Sequence, residues 1–171
     1  MALKINEIPP EGLTLEIAEQ IDLFDTGTLS TSVTAKLGIK PIGAGMLHIK
    51  GHVKADPVLE CSLCLKNFPY HIDTDIDIDF APTKSLGTSP EHELGRSELD
   101  MEFYTGEEIE PLDIVVEQVL ISIPMVPRHR PDCRGLCPVC GTDLNEADCG
   151  CQREGPEKFG AFSALKDLLK K

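Results

Sequence analysis

The cysteines are the residues of this chain whose spacing most clearly indicates a chemistry. Five of the seven lie between Cys133 and Cys151, and the other two form a C-x-x-C motif in the middle of the chain. The segment Cys137-Pro-Val-Cys140-Gly is a second C-x-x-C, in which a tight turn lets both sulfurs point at one ion. Pro138 fixes φ inside this turn, and Gly141 can adopt the positive φ that turns backbone amides toward the sulfurs. Thiolates clustered in this way most often bind Zn²⁺, so the sequence predicts a zinc centre.

The sequence leaves open which cysteines share an ion. The favoured partition places the four most C-terminal cysteines on one Zn²⁺: Cys137, Cys140, Cys149 and Cys151. The remaining three form a second candidate cluster, which lacks a fourth ligand: Cys61, Cys64 and Cys133. The alternative joins the two C-x-x-C motifs on a single ion. His129 could complete the second cluster, although a solvated or otherwise satisfied histidine is the commoner case. We therefore expect one zinc ion, or two if the second cluster also binds metal.

Other uses of cysteine fit the sequence less well. The residues from Met1 to Pro10 contain no continuous apolar run, so we expect a cytoplasmic chain with reduced thiols rather than disulfides. A redox C-x-x-C would open a helix after a strand, whereas the residues from Leu65 to Pro69 indicate a turn. The common nucleotide-binding and hydrolase motifs do not occur, and no carboxylate pair stands out for acid–base chemistry. We therefore predict a protein that is not an enzyme.

The charge of the chain is unevenly distributed. The net charge is −13, and residues 73–113 hold thirteen acidic side chains against only Lys84 and Arg96. This balance repels nucleic acid at long range and favours a basic protein partner, such as a ribosomal protein. A basic patch nevertheless lies beside the cysteines, and its members are the candidate RNA contacts: Arg128, His129, Arg130 and Arg134. No apolar run is long enough to cross a membrane.

The first half of the chain is predicted to form mostly strands. The residues from Met46 to Lys54 and from Tyr70 to Phe80 alternate between apolar and charged side chains, which predicts two half-buried strands. If they pair as a hairpin with the first C-x-x-C at its tip, three pairs of opposite charge face each other: Lys54 with Asp73, His52 with Asp75 and Lys50 with Asp77. The aspartates then form a charge-paired face rather than a calcium site, because a strand spreads them too far to surround one ion.

The pattern predicts one packed helix near residues 111–123, with Pro111 in its first turn and Pro124 after its end. We therefore expect an α+β fold: a mostly antiparallel, partly barrel-like sheet with one packed helix and a C-terminal zinc-knuckle segment. The expected organisation is a sheet-rich domain over residues 1–127, a zinc-knuckle segment over 128–151 packed on it, and a tail over 152–171 with a short helix. With 41% hydrophobic residues, the chain can form such a core.

The order of these parts resembles a known family. The motif Glu60-Cys61-Ser-Leu-Cys64 precedes an alternating acidic strand, and Ile109-Glu-Pro-Leu-Asp113 opens the helix. The segment Ile123-Pro-Met-Val-Pro127 then leads into the cysteine block. This arrangement is similar to the YceD family, the large ribosomal RNA subunit accumulation proteins. The resemblance implies a role in accumulation or processing of 23S rRNA and in large-subunit assembly, and it favours 23S rRNA or its precursor as the direct partner. The charge of the chain favours a basic large-subunit ribosomal protein instead, and the sequence does not decide between the two.

Overall fold

The computed structural model describes residues 2–23, 29–86 and 101–151. Nine strands and one α-helix, α1 (Pro111–Ser122), lie within these ranges, which confirms the α+β class. Two short 3₁₀ turns occupy Ile5–Glu7 and Thr83–Leu86. The strands are β1 (Leu3–Lys4), β2 (Leu13–Asp22), β3 (Ser30–Gly43), β4 (Met46–Ala55), β5 (Val58–Glu60), β6 (Asn67–Pro69), β7 (Ile72–Pro82), β8 (Met101–Tyr104) and β9 (Glu108–Ile109).

The central sheet has five strands in the order β2-β3-β4-β7-β8. The first three pairings are antiparallel, and β8 joins the end of β7 in parallel. The sheet is not closed into a barrel, so the expectation of a partly barrel-like sheet is wrong. Closure would require the two edge strands to pair, whereas β8 is only four residues long and pairs with β7 alone among the described strands.

The pairing of β4 with β7 has the predicted register. Lys54 faces Asp73, His52 faces Asp75 and Lys50 faces Asp77. The Nζ atom of Lys50 lies 3.1 Å from Asp77, and that of Lys54 lies 3.1 Å from Asp73. Because the period along a strand is two, this charged face places the apolar residues of both strands on the opposite, inner face.

The inner face of the sheet carries an aliphatic core. Leu37, Ile49 and Val53 are completely buried there. Helix α1 covers this face and buries Val115 and Val119. It begins at Pro111 as predicted, and the chain leaves helical geometry at Ile123, one residue before the proline that cannot continue a helix.

A separate two-stranded hairpin of β5 and β6 carries the first C-x-x-C in its turn. The predicted position was the tip of the β4–β7 hairpin, whereas the motif lies in the turn of the β5–β6 hairpin, which is inserted between these two strands. The chain after α1 returns to the tip, where Ser62 N donates to Pro127 O at 2.9 Å and Leu136 N donates to Leu63 O at 2.9 Å. The tail at 152–171, with its expected helix, lies outside the described residues. Within the described ranges, no helix is both long enough and apolar enough to span a bilayer.

Candidate metal centres

The two C-x-x-C motifs fold into the same turn. In the first, Cys61 N donates to Lys66 O and Leu65 N donates to Cys61 O, both at 2.9 Å. In the second, Cys137 N donates to Thr142 O at 2.8 Å and Gly141 N donates to Cys137 O at 2.9 Å. These hydrogen bonds occupy equivalent positions in the two motifs, so the chain builds one kind of thiolate-presenting turn twice.

Each turn depends on a residue with positive φ at the position after its second cysteine. Gly141 has φ +74°, as the sequence predicts, and its counterpart Leu65 has φ +61°. A leucine in this conformation is disfavoured by about 1–2 kcal/mol. Backbone hydrogen bonds reach the sulfur of Cys61 from Leu63 and Cys64. A sulfur held by amides in this way is stabilised as a thiolate, which is the form that binds metal.

The first cluster, centre A, combines the hairpin tip with the chain after α1. Its members are Cys61, Cys64, His129 and Cys133, whose ligand atoms all lie within 4.8 Å of one another. The sulfurs of Cys61 and Cys133 are 3.8 Å apart, and Nδ1 of His129 is 3.4 Å from the sulfur of Cys64. A tetrahedral Zn²⁺ with Zn–S bonds of about 2.3 Å requires sulfurs about 3.8 Å apart, so the cluster has the dimensions of a Cys₃His zinc site. His129 thus lies where a fourth ligand would be placed.

The second cluster, centre B, is local in sequence and contains the favoured set of ligands: Cys137, Cys140, Cys149 and Cys151. Their sulfurs also lie within 4.8 Å of one another. Cys137 is buried and Cys140 is exposed, so centre B lies closer to solvent than centre A, in which all three cysteines are buried. The alternative partition requires the two C-x-x-C motifs to share one cluster, but the structure places them in separate clusters.

The thiols in each centre are unequal in acidity. Burial raises the pKa of Cys61, but hydrogen bonds from His129 and from backbone amides outweigh it and lower the pKa from 9.0 to about 5. Burial raises the pKa of Cys64. In centre B, a hydrogen bond with Thr142 lowers the pKa of Cys140 to about 6, while hydrogen bonding to Cys140 raises the pKa of Cys151 to about 12. Cysteines must lose their protons to bind a divalent cation, so metal binding at either centre would release protons.

The two centres share a polar network that the sequence analysis missed. Asn145, between Cys140 and Cys149 in the chain, donates from Nδ2 to the sulfur of Cys133 at 3.5 Å. Its Oδ1 accepts from Arg134 N at 2.8 Å. Asp143 lies beside it and pairs with Lys66 Nζ at 3.0 Å. Asparagine and aspartate after a C-x-x-C-G turn are ordinary turn residues, so nothing in the sequence distinguishes them as the outer shell of another cluster.

The basic patch is divided by the fold. The side chain of His129 faces centre A, while Arg128, Arg130 and Arg134 are exposed. The guanidinium of Arg130 lies 3.4 Å from Asp132 and donates to Asn145, and that of Arg134 pairs with Asp148. Among the described residues, no carboxylate pairs with Arg128. Arg130 and Arg134 thus already have carboxylate partners within the described residues.

Comparison with known proteins gives the family. Residues 49–169 match the family described as large ribosomal RNA subunit accumulation protein YceD. Uncharacterised proteins of Mycobacterium bovis and Mycobacterium tuberculosis are 32% identical over 130 residues, which is 75% of this chain and 58% of theirs. An uncharacterised protein of Mycobacterium leprae is 31% identical over 101 residues, 56% of this chain and 42% of its own.

The chain thus spans a little over half the length of the first of these relatives. No solved structure matches it. The family match covers both candidate metal centres and well over half of the chain. The chain belongs to the YceD family.

Proposed function

We propose that this YceD-family chain is a ribosome-biogenesis factor without catalytic activity that supports accumulation or processing of 23S rRNA and so assembly of the large subunit. The family description supports the link to the large ribosomal RNA subunit. The contacts of the segment from Arg128 to Arg134 support this segment as the RNA-binding surface.

Both centres are proposed as structural Zn²⁺ sites. Centre A offers three sulfurs and one imidazole nitrogen, and centre B offers four sulfurs. Such ligand sets complete the tetrahedral coordination that structural zinc prefers and leave no position for a substrate or an activated water molecule. In each centre the bound ion would hold distant parts of the chain together rather than perform a reaction.

The single observation that carries the RNA proposal is the position of the basic segment on centre A. His129 and Cys133 are two of the four potential ligands, and Arg128, Arg130 and Arg134 lie directly beside them in the chain. A metal bound at centre A therefore fixes the backbone from which these guanidinium groups project. Arginines on a fixed backbone lose less conformational freedom when they bind phosphate than arginines on a free loop.

The test is binding of the full chain to fragments of 23S rRNA precursor at several salt concentrations. We expect Arg128→Glu to weaken binding and to reduce the slope of log K against log salt by about 0.7 for each phosphate that the variant no longer neutralises. Lys40→Glu is the matched control, because it makes the same change of charge at an exposed position on β3. Equal weakening in both variants would indicate a general charge effect and would contradict the assignment to Arg128.

A second candidate function is supported by an acidic groove. Strands β8 and β9 and helix α1 line a cavity of about 310 Å³ that carries Glu102, Glu108, Asp113 and Glu117. Burial, and to a lesser extent the negative charge of Glu117, raises the pKa of Glu102. Such a surface would suit a basic large-subunit ribosomal protein, which this chain would escort, with the effect on RNA being indirect.

A pull-down from the native host, divided into nuclease-treated and untreated halves, separates the two functions. Recovery of 23S precursor fragments, with loss of other partners after nuclease treatment, supports direct RNA binding. A basic ribosomal protein that stays bound after nuclease and is lost in Glu117→Lys supports the escort function. Recovery of neither partner contradicts both.

A further inference from the structure

Centre B supplies part of the outer shell of centre A. Asn145 lies on the loop that joins Cys140 to Cys149, yet its side-chain amide contacts the sulfur of Cys133 at 3.5 Å. Hydrogen bonds from metal ligands to outer-shell groups orient the ligands and adjust their basicity. A loop closed by one cluster thus reaches the ligands of the other.

The orientation of the Asn145 amide follows from its partners. Its oxygen accepts from the backbone N–H of Arg134 and from the guanidinium of Arg130, both at 2.8 Å. Its nitrogen donates to the sulfur of Cys133 and to Asp143 at 2.6 Å. A flipped amide would place its oxygen against a sulfur and a carboxylate, and its N–H groups against two donors. The N–H of Asn145 is therefore the group that faces Cys133.

Two further contacts join the cysteine segment of centre B to the first C-x-x-C turn. Lys66, whose carbonyl accepts from Cys61, reaches Asp143 with its ammonium group at 3.0 Å. Leu136, next to Cys137, donates its N–H to Leu63 inside the first turn at 2.9 Å. The loop of centre B is thus fixed against centre A by a side-chain bond to a ligand, an ion pair and a backbone hydrogen bond.

We infer that centres A and B form one cooperative unit for two thiolate-preferring divalent cations, with Asn145 as the positioning residue between them. The inference rests on the proposed metal centres. A cation at centre B orders the loop from Gly141 to Asp148, which then holds Asn145 and Asp143 in place for centre A. Without that cation, centre A must bear the entropic cost of ordering the loop by itself. Occupancy of either centre therefore raises the affinity of the other by the same factor.

The test is a titration of the reduced full chain with Co²⁺, whose absorption reports thiolate coordination, in competition with a chelator. The variant that removes centre B carries Cys149→Ser and Cys151→Ser. We expect it to weaken binding at centre A by about 10–100-fold, the usual effect of removing outer-shell support. Asn145→Ala should weaken centre A to a similar extent when centre B is intact and should have little further effect when centre B is absent. Asn67→Ala makes the same substitution at an exposed position of β6 and should change neither affinity.

Asn145→Asp provides a second variant should the alanine disturb folding. It keeps an oxygen that can accept from Arg130 and Arg134, removes the N–H groups that face Cys133 and Asp143, and places a negative charge beside both. It should therefore also weaken centre A. The double variant Cys61→Ser, Cys64→Ser removes centre A. It should weaken metal binding at centre B by the same factor by which removal of centre B weakens metal binding at centre A. Two bound ions with affinities that are unaffected by removal of the other centre would overturn the coupling alone. Failure to bind Co²⁺ at either centre would overturn the proposed metal centres as well.

Discussion

Alanine substitutions at two glycines can measure how tightly the cysteine segment is packed on the hairpin. Gly135 and Gly141 have nearly the same φ, +72° and +74°. They differ in their surroundings. A Cβ on Gly135 would lie 2.9 Å from Leu63 O and 3.2 Å from Leu63 Cβ, whereas a Cβ on Gly141 would have no neighbour within 4 Å.

The alanine substitutions at these positions therefore share one cost and differ in another. Each alanine has to adopt a left-handed conformation, at about 1–2 kcal/mol, and about 0.4–1 kcal/mol returns from the reduced entropy of the unfolded chain. These contributions cancel when the two variants are compared. Gly135→Ala must also displace the Leu63 carbonyl, which accepts from Leu136 at 2.9 Å. Overpacking of this kind typically costs about 1–3 kcal/mol.

We expect Gly141→Ala to lower the free energy of unfolding by about 1 kcal/mol and Gly135→Ala by about 2–4 kcal/mol. The assay is urea unfolding of the zinc-loaded chain at constant excess metal, with the two variants compared at equal slope. With a slope of about 1–3 kcal/mol per molar urea, the difference corresponds to a midpoint shift of about 1 M. Equal destabilisation, or a larger effect from Gly141→Ala, would refute the proposed close packing of Gly135 on Leu63.

Three further predictions concern the core, the charged face and the metal. Ile49→Ala should lower the free energy of unfolding by about 2–5 kcal/mol, because Ile49 is fully buried. Ile42→Ala is the control: Ile42 is 49% exposed, so the free energy of unfolding should change by about 0.5 kcal/mol or less. Urea unfolding measures both. The hydrogen bond from Lys54 lowers the pKa of Asp73 below its ordinary 3.8, so its contribution to stability is present above pH 3.8 and is lost as the pH falls through the lower, folded-state pKa. Asp73→Asn should therefore reduce stability at pH 7 and flatten its decline below about pH 4, and an unchanged profile in acid unfolding would contradict this. Removal of metal from the proposed centres by a chelator should abolish hydrogen-exchange protection of the Leu136 amide and leave that of β3 and β4 largely intact. The reason is that the proposed metal would hold the cysteine segment in place, whereas the sheet has its own core.

Local periodicity was enough to predict several parts of the fold. Alternation along β4 and β7 specified which side chains face the core, and opposite charges at matching positions specified their register, so that Lys54 faces Asp73 as predicted. The start of α1 at Pro111 was predictable because proline is favoured in the first turn of a helix. The favoured set of four cysteines in centre B was predictable as a group because its members lie close together in the chain.

The features that join distant segments could not be predicted from local patterns. The extent of the sheet depends on how its edge strands are placed, and edge pairing leaves little trace in the alternation of a single strand, so the open sheet was not foreseen. The place of His129 in centre A depends on the return of the chain after α1 to the tip of the β5–β6 hairpin, which brings it to Cys64 from 65 positions away. Asn145 and Lys66 become partners of the metal centres for the same reason. Nothing in the local sequence distinguishes Asn145 or Lys66 from ordinary polar residues. They become neighbours of the opposite cysteine cluster only because the two C-x-x-C turns pack against each other.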